Sequence, residues 1–147
     1  MSELVVELRN LINEVPNKIE SLPYVNEKTN PSKWSKIEIL GHLCDSGSIN
    51  HKRFVEILIS NEQVTLSGYN QVLWVQVHNY QESYSIKEIL NLWRSINERI
   101  VKLLSNIKEN QWNLSCKLED QTIVTLEWLV SDYIQHMNHH LKQIFSD

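Results

Sequence analysis

Three of the six histidines, His136, His139 and His140, fall within five residues near the end of the 147-residue chain. The stretch Tyr133-Ile134-Gln135-His136-Met137-Asn138-His139-His140-Leu141 has helical apolar spacing. On a helix, His136 and His140 stand one turn apart and can grip one ion. Neutral imidazole is a ligand for zinc, nickel, copper and iron. A third ligand from elsewhere would leave open coordination positions, the catalytic rather than the structural arrangement. An HxxHH on a terminal helix also arises as a plain solvated surface, so the placement of the side chains decides between the two.

Taking Leu126, Val130, Met137 and Ile144 as the centre of this helix's apolar stripe, His140 projects about 40° and His136 about 80° from it, on the same side, and His139 about 140° away. His136 and His140 therefore look inward, and His139 reads as solvent-facing. The capping box Ser35-Lys36-Ile37-Glu38 opens an earlier helix running to about Asn61, which offers two partners for the pair. His51 lies on its main apolar face with Ile37, Leu40, Cys44 and Leu58. His42 lies on the opposite stripe with Ser46, Ile49 and Arg53. Projection slightly favours His51 as the buried one and leaves both open.

Two further long helices complete the set. Leu4, Leu8, Leu11, Ile12, Val15, Ile19 and Leu22 form an amphipathic stripe in which Pro16 predicts a kink or a break near Asn13. A second capping box, Ser85-Ile86-Lys87-Glu88, opens a helix with a clean stripe from Ile86 to Ile107. The last helix starts at a Thr125 cap and runs to about Phe145. Between helices two and three, Gly68-Tyr69-Asn70 marks a turn and Val72 to Tyr80 a short helix. Between three and four, a hairpin is expected at Cys116–Leu118 and Thr122–Val124. The expected fold is all-α: one four-helix-bundle domain over residues 1–147, with long connections between helices 2–3 and 3–4.

Composition narrows the function. The net charge of −4 and pI near 5.9 argue against nucleic-acid binding, which needs a basic surface. Apolar runs of a few residues predict no membrane span, and the early acids Glu3 and Glu7 lack the basic start of a signal peptide, so a cytoplasmic protein is expected. Cys44 and Cys116 are far apart and in no CxxC spacing; they read as reduced, partly buried thiols. The five tryptophans read as core.

Four segments in order carry a resemblance: Lys33-Trp34-Ser35 through Glu38-Ile39-Leu40-Gly41-His42-Leu43-Cys44-Asp45-Ser46; Arg53-Phe54; Ser67-Gly68-Tyr69-Asn70-Gln71-Val72-Leu73-Trp74; and Tyr133 to Ile144. Together, from about Pro31 to Ile144, they resemble the DinB-like superfamily of metal-binding four-helix bundles, in its YfiT-type, bacillithiol-transferase-like branch. This chain departs from the family pattern in having Asn70-Gln71 where acids are usual, and no glycine just before the closing helix. The resemblance implies one metal ligand from the HLxD segment and two from the closing helix: His42, His136 and His140, so it selects His42 over His51. It implies a divalent transition metal, nickel (Ni2+) or zinc (Zn2+), a small-molecule thiol and an electrophile as partners, and a homodimer.

On that basis the expected activity is transfer of a low-molecular-weight thiol to an electrophilic substrate. A metal-dependent hydrolase is the alternative, and a stress-related metal-binding protein without turnover is a third reading. Arg53, three turns after His42 on one stripe, is a candidate contact for a substrate carboxylate, or else an ion-pair partner for an acid on a neighbouring helix. Asp45, three residues after His42, is a candidate for orienting a ligand histidine.

Overall fold

The computed structural model describes residues 2–146. Four long helices make the frame: α1 (Glu3–Glu20), α2 (Lys36–Ile59), α5 (Ile86–Ser105) and α6 (Leu126–Phe145); two short ones, α3 (Gln71–His78) and α4 (Tyr80–Ser83), lie between α2 and α5. Each long helix starts at a side-chain cap. Ser2 accepts from the Leu4 amide and Thr125 from the Trp128 amide. At Ser35 and Ser85 both halves of the capping box form, with Glu38 and Glu88 reaching back to the cap amides. A cap of this kind supplies partners to helix amides that have none within the helix.

Both α1 and α2 pack against α5 and α6, so the ring order is α1–α5–α2–α6 and the sequence-consecutive helices α1 and α2 occupy opposite corners. The start of α2 is tied to the end of α6 by Lys36 Nζ donating to the Ser146 carbonyl. The two helices are therefore antiparallel. Cys44 Sγ, early in α2, lies 3.7 Å from the Ile89 carbonyl, early in α5, so those two helices run parallel. A parallel pair forces the chain to return the full length of the bundle before α5 can start. The segment holding α3 and α4 makes that return, packed along α2.

Pro16 does not break α1, which continues to Glu20. The buried stripe Val5, Leu8, Ile12, Val15 and Ile19 runs past Pro16 on both sides, and that burial outweighs the lost amide bond. The short helix expected to reach Tyr80 ends at His78, because Asn79 takes a left-handed conformation (φ 51°) and turns the chain into α4. The hairpin forms as β2 (Ser115–Lys117) against β3 (Ile123–Thr125), antiparallel, within a residue of expectation. Sequence spacing did not reveal β1 (Val64–Thr65), which adds parallel to β2 and knits the two long connections into one three-stranded sheet. Among the described residues, no helix is long and apolar enough to cross a membrane.

The core fills the ring with Leu8, Leu40, Phe54, Trp93, Leu126 and Met137, all fully buried. Not all tryptophans join it: Trp93 and Trp112 are buried, Trp34 and Trp74 are half-buried, and Trp128 is exposed. Of the six buried polar side chains among the described residues, four lie on α2, His42, Asp45, Ser46 and Asn50; Ser35 caps that helix and Asn97 lies on α5.

Candidate metal centre

His42 sits early in α2, and His136 and His140 sit late in α6. Because those helices pack antiparallel, their imidazoles meet at one end of the bundle, opposite the small sheet. His42 Nε2 lies 3.3 Å from His136 Nε2, and His140 Nε2 lies 3.1 Å from the same atom. One donor atom from each of the three lies within 4.8 Å of the others, and among the described residues no other group of three or more His, Cys, Asp or Glu side chains converges in this way. Two imidazole nitrogens bound to one tetrahedral ion at about 2.05 Å would be about 3.3 Å apart. The two spacings to His136 match that figure, and the third pair lies within 4.8 Å, so the donor set fits a transition metal.

Burial sets the protonation state. Burial of His42 among the helices pushes its pKa down to about 3, with His140 and His136 adding to the shift. His136 is pushed down to about 4, by burial first and then by His140 and His139. His140 is lowered by burial too, partly offset by its bond to Gln143. All three rings are thus neutral at pH 7, the form that carries a lone pair for a metal. Gln143 Oε1 lies 2.8 Å from His140 Nδ1 and can only accept, so Nδ1 carries the proton and Nε2 presents its lone pair to the centre. That partner sits three residues on from His140 and was within reach of helical spacing. The Trp34 ring lies 5.0 Å from the His42 ring, tilted 37°, and walls the centre on one side.

The structure places the other candidates elsewhere. His51 is half-buried, whereas His42 is wholly buried, reversing the order that projection favoured. The stripe bearing His42 is covered by α6 and by the returning segment α3–α4, which periodicity in α2 cannot reveal. His139 is exposed, near Gln143. Arg53 donates to the Ser67 carbonyl rather than to a carboxylate, and lies eleven residues along α2 from His42, about 16 Å by helical rise.

Asp45 makes no direct hydrogen bond to a ligand histidine. Its Oδ1 accepts from the Tyr80 hydroxyl and lies 3.6 Å from His78 Nδ1, while Oδ2 has no protein partner. The α3–α4 return brings those two side chains over α2, a placement no local pattern announces. Both cysteines are buried and free, and burial raises both thiols. Neither is a nucleophile at neutral pH.

Comparison with known proteins agrees with this frame. A Halalkalibacterium halodurans protein named provisionally as a metal-dependent hydrolase is 25% identical over 113 residues, 77% of this chain and 64% of the relative. The chain thus matches a little under two thirds of that relative's length. YfiT from Bacillus subtilis, described as a probable metal-dependent hydrolase with an unusual four-helix bundle topology, superposes with a TM-score of 0.79 at 22% identity. That superposition covers 98% of this chain and 86% of YfiT, and at this identity the likeness is one of fold. The sequence profile of the DinB superfamily matches residues 8–144, a span that takes in most of α1, the converging histidines and both long connections. With the ring order, the returning segment and a profile match over nearly the whole chain, the protein belongs to the DinB superfamily.

Proposed function

We propose that His42, His136 and His140 hold one divalent transition metal and that the protein is a metal-dependent hydrolase. The observation that carries this reading is the convergence of three neutral Nε2 atoms at spacings suited to a single ion. Zinc and nickel both accept three imidazole donors. A divalent ion held this way supplies Lewis acidity, polarising a substrate carbonyl or phosphoryl oxygen and making a coordinated nucleophile more acidic. The chain's own residues do the rest. Gln143 holds the Nδ1 proton of His140, the bundle around His42 shields it from bulk solvent, and Trp34 offers an apolar wall beside the ring. The names given to the H. halodurans relative and to YfiT support hydrolysis as the reaction class.

A second reading, transfer of a low-molecular-weight thiol to an electrophile, is supported by the resemblance of residues Pro31 to Ile144 to the bacillithiol-transferase-like branch. Cys44 and Cys116 are buried with raised pKa values, so in that reading the sulfur nucleophile comes from solution. One experiment separates the two. Protein purified without a histidine tag is loaded with zinc or nickel and offered activated esters, phosphoesters and alkyl halides, with and without a small thiol. Turnover that ignores the thiol supports hydrolysis; turnover that requires it supports transfer. Protein that takes up far less than one equivalent of metal would remove both.

A further inference from the structure

Three buried side-chain polar atoms among the described residues have no hydrogen-bond partner: His42 Nδ1, Asp45 Oδ2 and Trp93 Nε1. Two of the three sit on a single turn of α2, three residues apart, where side chains share a face. Their chemistry is complementary. His42 Nε2 faces His136 Nε2 at 3.3 Å, a contact either tautomer can make; when Nε2 presents its lone pair to the three-histidine centre, Nδ1 carries the ring proton and is a donor, and a carboxylate oxygen is an acceptor. Buried polar groups are almost always paired, directly or through water, so two matched orphans on one turn point to a shared partner.

We infer that Asp45 is a positioning residue for His42: a single water bridges Asp45 Oδ2 to His42 Nδ1 and keeps the His42 Nε2 lone pair aimed at the three-histidine centre.

The surroundings hold the carboxylate for this task. Asp45 Oδ1 is occupied by the Tyr80 hydroxyl, which fixes the carboxylate plane and leaves Oδ2 as the available acceptor. The Tyr80 ring can reach that position because residue 41 is glycine: a Cβ there would stand 2.2 Å from Tyr80 Cδ2. His140 provides the internal comparison. Its Nδ1 has its own acceptor in Gln143, whereas His42, the most deeply buried of the three, has none from the protein. A carboxylate behind a ligand histidine fixes its tautomer and raises its basicity.

The inference rests on the three-histidine reading for its consequence in metal binding, but its hydrogen bond is testable without metal. In 15N-labelled metal-free protein at pH 7.5, long-range 1H–15N correlations report which His42 nitrogen carries the proton. Nδ1–H is expected, and Nε2–H in the wild type overturns the inference. Asp45→Asn keeps the shape and an acceptor for Tyr80, but turns an NH2 donor toward the bridge. His42 should then switch to the Nε2–H tautomer, and zinc affinity, read by competition with a chelating dye, should fall about 10- to 100-fold. An unchanged tautomer overturns the inference whether or not affinity falls, since a fall without the switch means the carboxylate acts through charge alone. A switched tautomer in a protein that binds no zinc leaves the hydrogen bond standing and removes the metal reading.

Discussion

His42 Nε2 and His136 Nε2 lie 3.3 Å apart although 94 residues separate them in sequence. The contact depends on α2 and α6 packing antiparallel, with the start of one beside the end of the other. His140, one turn further along α6, comes to 3.1 Å of the same His136 atom and turns a pair into a three-point centre.

If that centre holds a metal, each ligand is needed. Alanine at His42, His136 or His140 should weaken zinc or nickel binding by more than about 100-fold, beyond the loss expected for an outer partner. His139→Ala should leave binding unchanged, because His139 is exposed and outside the group of three. Calorimetric titration of the four variants checks this. A His42→Ala protein that still binds tightly would sink the reading.

The metal-free protein should lose stability in mild acid. His42 and His136 have folded-state pKa values of about 3 and about 4, below the ordinary 6.5 that they regain on unfolding. A depressed histidine contributes stability that is complete above pH 6.5 and is lost as pH falls toward the folded value, because the unfolded chain takes up the proton first. His42 alone should cost about 2 kcal/mol between pH 7 and pH 5. Urea unfolding at those pH values measures it, and His42→Ala should flatten the slope.

Gly41→Ala should destabilise the protein by about 1–3 kcal/mol despite alanine's better helix propensity, which is worth only about 0.5–1 kcal/mol. The added Cβ would lie 2.2 to 2.6 Å from three Tyr80 ring atoms, and a rigid ring cannot fold away. The melting temperature should fall even without metal. A neutral or stabilising outcome would mean that Tyr80 does not pack on this turn.

Trp34 should report on occupancy of the centre. Its ring is 5.0 Å from that of His42, so a quenching ion such as Ni2+ should lower the emission of this tryptophan on binding. The metal-dependent part of the quenching should vanish in Trp34→Phe while affinity persists. Quenching unchanged by that substitution would place the ion near another tryptophan.

Local chemistry made much of the protein legible before any tertiary contact. The boxes Ser35–Glu38 and Ser85–Glu88 mark helix starts because a serine hydroxyl and a glutamate carboxylate satisfy amides on the same turn. The four apolar stripes, the Thr125 cap and the inward tilt of His136 and His140 follow from a period of 3.6 residues. Those features depend on neighbours within a few residues, so the order of amino acids alone determined them. Tertiary packing decided the rest. Helix α2 is apolar on two sides, and nothing within it says which side meets α6; that contact buries His42 and leaves His51 half-exposed. The pairing of β1 with β2 and the delivery of Tyr80 to Asp45 join segments tens of residues apart through a parallel α2–α5 arrangement. Such contacts form only once the whole ring closes, because their energy comes from burying faces that each helix presents without naming a partner.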